Sequence, residues 1–203
     1  MNHLIYMFSN KVLKVFIMKE TLIVVAHPNL AASTVNRYWI KELTQYDNQL
    51  TIHDLYARYP SNKIDVRFEQ NLIENHHNLI LQFPVYWFNC PPLLKQWLDK
   101  VFTYGWAYGR CGDKLTNKKV GLAVSAGIKK SDYTKDGHYQ TSLEDILKPF
   151  ELTMNYVHAD YQSVFAVYGA NTEPEADYKI TLDEINESAQ NYICWMKKLQ
   201  MLK

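Results

Sequence analysis

Glycine is scarce and late. The chain of 203 residues holds seven, and none precedes Gly105. Neither a G-x-G-x-x-G fingerprint nor a P-loop can therefore follow the first strand. Cysteine is also sparse: Cys90, Cys111 and Cys194 are odd in number and widely spaced, with no C-x-x-C pair. That disfavours a disulfide framework and a structural zinc site, and it fits a reducing cytoplasm. No charge of one sign dominates, because 22 basic residues face 21 acidic ones for a net charge of +1. A nucleic-acid footprint is not expected on that balance. Long hydrophobic runs are missing as well. In residues 1–17 the apolar stretches are broken by Ser9, Asn10, Lys11 and Lys14, leaving neither a secretory core nor a membrane span. We read 1–17 as an extension outside the fold and 18–203 as a single domain, long enough to bury one substantial core.

Metal-ligand patterns are equally thin. His76 and His77 follow Glu74, but adjacent residues do not converge on one ion, and a solvated helix end accounts for them. His53 and His158 read as ordinary strand or loop positions, and Asp183, Glu184 and Glu187 as a charged helix face. No metal is expected.

What is present is an alternation of short apolar strands and amphipathic helices. Thr21 to Ala26 (TLIVVA) is a continuous β-branched run, the mark of a central parallel strand buried on both faces. His27-Pro28-Asn29 ends it, and Val35, Tyr38, Trp39, Leu43 and Tyr46 recur at helical spacing, with Ser33 or Thr34 placed to cap. Further strands are expected at Gln49–Leu55, Leu79–Phe83, Lys119–Ala126 and Gln162–Tyr168. Helices are expected around Val66–Asn75, from Pro91-Pro92 through Phe102, from Leu143 to Met154, and from Leu182 to Leu199. Five strands alternating with helices predict an α/β three-layer sandwich around a parallel sheet. We expect the flavodoxin-like order 2-1-3-4-5, with its ligand crevice between the strands ending at Ala26 and Phe83.

The densest signal lies at Phe83–Tyr108, where nine of 26 residues are aromatic against 14% for the whole chain. Pro84 stops the strand, since its nitrogen cannot donate to a ladder. Tyr86-Trp87-Phe88 follow as a turn, and Pro91-Pro92 open a helix at the position where proline is tolerated. An aromatic loop at a strand's C-terminal end suits a planar aromatic guest; an aromatic-rich core helix behind a loop is the plainer reading. The first loop, His27–Asn36, precedes a helix N-terminus and carries hydroxyls at Ser33 and Thr34 and an amide at Asn36. It could hold a phosphate or merely cap the helix. Tyr133 and His138, in the loop after Ser125, read on their own more readily as surface loop residues.

The run F-P-V-Y-W-F followed by P-P-x-L-K-x-W-x-D-K-V-F and G-x-A-Y resembles the flavin-contacting segment of the NAD(P)H:quinone oxidoreductases. That family includes small bacterial members and the ancillary subunit of glutathione-regulated potassium efflux systems. The first loop is similar at His27, Pro28, Ser33 and Asn36. The third, Ser125-Ala126-Gly127 with Tyr133 and His138, is similar to the segment bordering the flavin ring and quinone pocket. Two departures stand out: Ile128 replaces a second glycine, and His138 follows Tyr133 by five residues where six is commoner.

The resemblance covers about Thr21 to Gly169. It implies hydride transfer from NADH or NADPH through bound FMN (FAD possible) to a quinone-like acceptor. His27, Ser33, Thr34 and Asn36 would hold the flavin phosphate. Pro84, Val85, Tyr86, Trp87 and Phe88 would lie against the flavin, with Trp87 and Phe88 flanking the ring. Backbone groups of Tyr86–Phe88 and of Ser125, Ala126 and Gly127 would hold its polar edge. Tyr133 and His138 would stabilise negative charge. It further implies a homodimer in which Tyr108 covers the partner's substrate pocket. Two other readings stay open: a redox-sensing regulatory subunit bound to a membrane antiporter at the inner face of the membrane, and a flavodoxin-like electron carrier. The near-neutral charge argues against the carrier.

Overall fold

A computed structural model describes residues 19–171, 173, 175, 176 and 178–203; the extension expected at 1–17 lies outside the described residues. Five strands form one sheet: β1 (Lys19–Val25), β2 (Leu50–Asp54), β3 (His76–Pro84), β4 (Lys119–Ser125) and β5 (Asp160–Val167). Every pairing is parallel and the order is β2-β1-β3-β4-β5, as expected from the alternation. The helices are α1 (Val35–Leu43), α2 (Leu55–Arg58), α3 (Val66–Glu74), α4 (Pro92–Val101), α5 (Leu143–Ile146), α6 (Lys148–Tyr156) and α7 (Leu182–Lys198).

The side-chain period of two along β1 feeds two cores. Leu22 and Val24 join Leu79, Leu81, Phe83 and the α4 residues Leu94 and Trp97 on one face. Ile23 and Val25 join Trp39 of α1 and Tyr192 of α7 on the other. Both faces are thus covered, which explains why the central strands read as continuous apolar runs rather than alternating ones.

One histidine departs from the sequence reading, and a second, in a strand as expected, makes a contact the sequence did not show. His76 is not a solvated helix end: it opens β3, is buried, and its ring lies between the Leu72 carbonyl (2.7 Å) and Thr51 Oγ1 (2.7 Å). His53 is part of a buried polar knot. Glu69 of α3 is 0% exposed, and its carboxylate accepts from His53 Nε2 (2.8 Å), the Tyr59 hydroxyl (2.5 Å) and Trp97 Nε1 (2.7 Å). One carboxylate therefore joins β2, the loop after α2, α3 and α4. Burial opposes its charge and is the largest single influence. The bonds from His53, Tyr59 and Trp97 together still hold the carboxyl below its ordinary value.

A group held low in the folded state stabilises above its unfolded pKa, and that stabilisation fades as pH falls through the folded value. Glu69→Ala leaves three buried donors without an acceptor, so it should cost about 3–5 kcal/mol in urea unfolding at pH 7. The gap to the wild type should narrow as pH falls below the ordinary carboxyl range.

Candidate functional site

Because all strands run the same way, their C-terminal ends release their loops at one edge of the sheet. There the loops enclose a cleft of about 440 Å³. The loop after β1 contributes His27, Ser33 and Thr34, and the loop after β3 contributes Pro84, Val85 and Tyr86. Ser125 and Gly127 come from the end of β4. A fourth wall, Ala170, Asn171 and Glu173 after β5, was not anticipated, because nothing in its composition marks it. A second cavity of about 380 Å³ shares Gly127 and Asn171 with the cleft and is walled by Ile128, Lys129, His138 and Tyr139.

The donors at the α1 end suit an anion. Thr34 occupies the cap position but makes no side-chain capping bond. Ser33 caps instead, its Oγ accepting from the Asn36 N–H at 3.1 Å. The first N–H groups of α1 lack intrahelical acceptors by construction of a helix. His27 Nδ1 accepts from the Asn29 N–H at 3.1 Å, which puts the ring proton on Nε2. Burial lowers the His27 pKa, with Asp54 acting in the opposite sense, so the ring is neutral near pH 7.

Three expectations need correcting. Asn36 does not offer its amide to a phosphate: it is 1% exposed, and its side chain bonds Ser125 Oγ (2.8 Å) and Gln82 Nε2 (3.3 Å). The N–H groups of Tyr86 and Ala126 are not free for a ring edge, because Asn89 O and Val167 O already accept from them at 2.8 and 2.7 Å. Among the described residues no acceptor is found for the N–H groups of Trp87, Phe88 and Gly127. Trp87 does not line the cleft either; it stands 94% exposed, and the wall there is Tyr86.

The remaining aromatics form a chain that the sequence concealed. Phe88 packs edge-on against Tyr139 (5.0 Å between centroids), Tyr139 against Tyr133 (5.5 Å), and Tyr133 against Tyr168 (5.7 Å). His138 lies edge-on to Tyr139 at 4.8 Å. Tyr133 is buried, which raises its pKa and keeps the hydroxyl protonated. Tyr108 is half-buried between Tyr104 (5.9 Å) and Tyr156 (5.5 Å), while Trp106 turns inward to donate Nε1 to Glu74 (2.7 Å). The aromatics beyond α4 therefore divide, with Trp106 in the core and Tyr104, 67% exposed, at the surface.

A sequence model for the flavodoxin-like fold matches residues 19–191. The chain belongs to that flavodoxin-like family. It is 39% identical to an uncharacterized NAD(P)H oxidoreductase, YrkL, of Bacillus subtilis over 178 residues, spanning 88% of this chain and 98% of the relative. It is 35% identical to the glutathione-regulated potassium-efflux ancillary protein KefG of Yersinia pestis over 179 residues, 88% of this chain and 93% of the relative. The crystal structure of general stress protein 14 from Treponema denticola, in complex with FMN, is 48% identical with a TM-score of 0.81, covering 89% of this chain and 99% of that one.

In this flavodoxin-like chain the turn after β3 takes an unusual form. Tyr86 and Asn89 exchange backbone bonds (2.8 and 3.0 Å) across Trp87 and Phe88, whose φ values are +50° and +60°. Two consecutive left-handed residues make a type I′ turn, which asparagine and glycine normally supply. Bulky side chains there cost about 1–3 kcal/mol each, so stability alone does not account for Trp87. Replacing it with glycine relieves that strain and removes an exposed aromatic face one residue from Tyr86, which walls the cleft. Trp87→Gly should raise the melting temperature of the flavin-free protein by about 2–4 °C. Titration with FMN should show affinity about tenfold or more lower, on the scale of aromatic stacking.

Proposed function

We propose that the protein is a flavin-dependent NAD(P)H oxidoreductase that binds FMN in the four-loop cleft and reduces quinones or similar acceptors. The observation that carries this reading is the cleft itself. Anion-binding donors at Thr34 and the α1 N-terminus lie at one end, and the aromatic I′ turn with the adjoining Tyr139–His138 cavity lies at the other. Those donors, together with the buried Ser125 hydroxyl, fit a phosphorylated, hydroxyl-bearing chain attached to a planar ring. They also match the FMN carried by the Treponema structure. We take FMN over FAD on that ground. When bound, the flavin supplies the chemistry of accepting and passing on a hydride; the rest falls to the chain.

The neutral His27 and the α1 N-terminus hold the phosphate without a side-chain cation. Tyr139, with Phe88 packed edge-on against it, walls one side of the second cavity and leaves room for a flat nicotinamide or quinone. His138 faces that cavity as a donor to an oxygen gaining negative charge, with Tyr133 behind it. Removal of one such donor typically costs about 10²–10³ in rate. No helix among the described residues is long and apolar enough to cross a membrane, and we place the protein in the cytoplasm.

Assembly as a homodimer is part of the proposal. Tyr104, Leu152 and Tyr156 are 67%, 58% and 66% exposed around the half-buried Tyr108, forming an apolar face that a second copy can cover. Tyr108 would then reach the partner's acceptor pocket. Mass spectrometry of cofactor released from the purified protein, with light scattering for mass, tests the proposal. FMN and the mass of two chains are expected. Protein that binds no flavin even after incubation with FMN would overturn it.

A further inference from the structure

Beneath the cleft runs a buried chain of three polar side chains, Gln82–Asn36–Ser125, drawn from β3, α1 and β4. Its polarity follows from one atom. The main-chain oxygen of Asn36 can only accept, and the Gln82 amide lies 3.2 Å from it, so the Gln82 atom there is Nε2. The same Nε2 is 3.3 Å from the Asn36 side chain, so the Asn36 atom facing it is Oδ1. Nδ2 is left to face Ser125 Oγ at 2.8 Å, which makes Oγ an acceptor. The proton of Ser125 must then point elsewhere. No acceptor for it is found among the described residues, yet Ser125 is only 4% exposed and lines the cleft.

Gln82 is a costly choice for a core strand. It is 0% exposed, and its Oε1 has no partner. An orphaned buried acceptor destabilises relative to an apolar residue of the same shape, so the value of Gln82 lies in its donor and not in packing.

We propose that Gln82 is a positioning residue that, through Asn36, forces the Ser125 hydroxyl to donate into the cleft, to an oxygen of the ribityl-phosphate chain of the flavin. This rests on the flavin reading of the cleft. The acceptor belongs to that chain and not to the ring because Asn36 ties Ser125 to the Ser33–Thr34 end, where the anion donors lie. Without the Gln82 donor, the Asn36 amide is free to rotate and present Oδ1 to Ser125. The hydroxyl would then donate to Asn36 and turn its lone pairs towards the ligand.

The test measures FMN, riboflavin and lumiflavin binding by fluorescence quenching, lumiflavin lacking the ribityl chain. Ser125→Ala and Gln82→Met should each weaken FMN and riboflavin about tenfold, the scale of one hydrogen bond, and leave lumiflavin unchanged. The double variant should be no weaker than Ser125→Ala alone, since both changes remove the same bond, and Ser125→Thr should restore binding. If Gln82→Met does not fold, Asn36→Asp poses the same question in an isosteric side chain. One carboxylate oxygen keeps Gln82 while the other takes the Ser125 proton, and riboflavin, which is uncharged, reads the loss. The proposal is overturned by folded Gln82→Met with wild-type affinity, by losses that multiply in the double variant, or by equal weakening of lumiflavin. Wild-type protein that takes up no FMN contradicts the flavin reading itself and this inference with it.

Discussion

The amide of Asn36 is the point at which the cleft is tied together. Its main-chain N–H is capped by Ser33 of the first loop, its main-chain oxygen is held by Gln82 of β3, and its side chain bridges Gln82 to Ser125 of β4. Elsewhere the loops that wall the cleft meet through backbone bonds at the strand ends, Val85 N–H to Ser125 O and Ala170 N–H to Ala126 O, and through the Phe88–Tyr139 contact. One buried asparagine thus sets the distance and angle between the helix end that suits a phosphate and the strand end that carries Ser125. Leaving a buried donor unpaired is costly, so these contacts support one another. They make the site rigid at one end.

The other end is organised by strain. The early half of the chain holds no glycine, so its left-handed positions fall to Asn62, Trp87 and Phe88. At Asn62 the residue type tolerates this. At Trp87 and Phe88 it does not, and the turn persists because the Tyr86–Asn89 bridge and the Phe88–Tyr139 contact determine it from both sides. The site therefore pairs a rigid, polar floor with an aromatic rim held away from its preferred backbone geometry. Far from the cleft, the Glu69 knot performs the analogous task for β2, α3 and α4, with three donors on a single carboxylate.

The fold was largely legible because its signals are local. Leu22–Ala26 and Val120–Val124 carry no polar side chain, and two proline-marked boundaries bracket the aromatic turn. The alternation of elements implied a parallel sheet, and the flavodoxin-like order chosen for it is the order observed. What could not be read depends on pairs remote in sequence. Asn36 and Ser125 lie 89 positions apart and Asn36 and Gln82 46 apart, and neither spacing leaves a trace in periodicity. Thus Asn36 read as a phosphate ligand, although its side chain is turned to the interior. His76 read as solvated because its partners, Leu72 and Thr51, sit on other elements. The Trp106–Glu74 bond, across 32 residues, is likewise invisible in the sequence. Asn171 and Tyr139 carry no motif, and only the approach of the loops after β4 and β5 brings them to the site.

In the proposed function this cleft holds a flavin that exchanges hydride with a nicotinamide and then with a quinone. Anaerobic stopped-flow mixing of the FMN-loaded protein with NADH or NADPH, followed at the oxidised-flavin absorbance band, tests it most directly. The account predicts bleaching at a rate that saturates with at least one nucleotide, and recovery of the band when a benzoquinone is added. An absorbance band that neither nucleotide bleaches would contradict it.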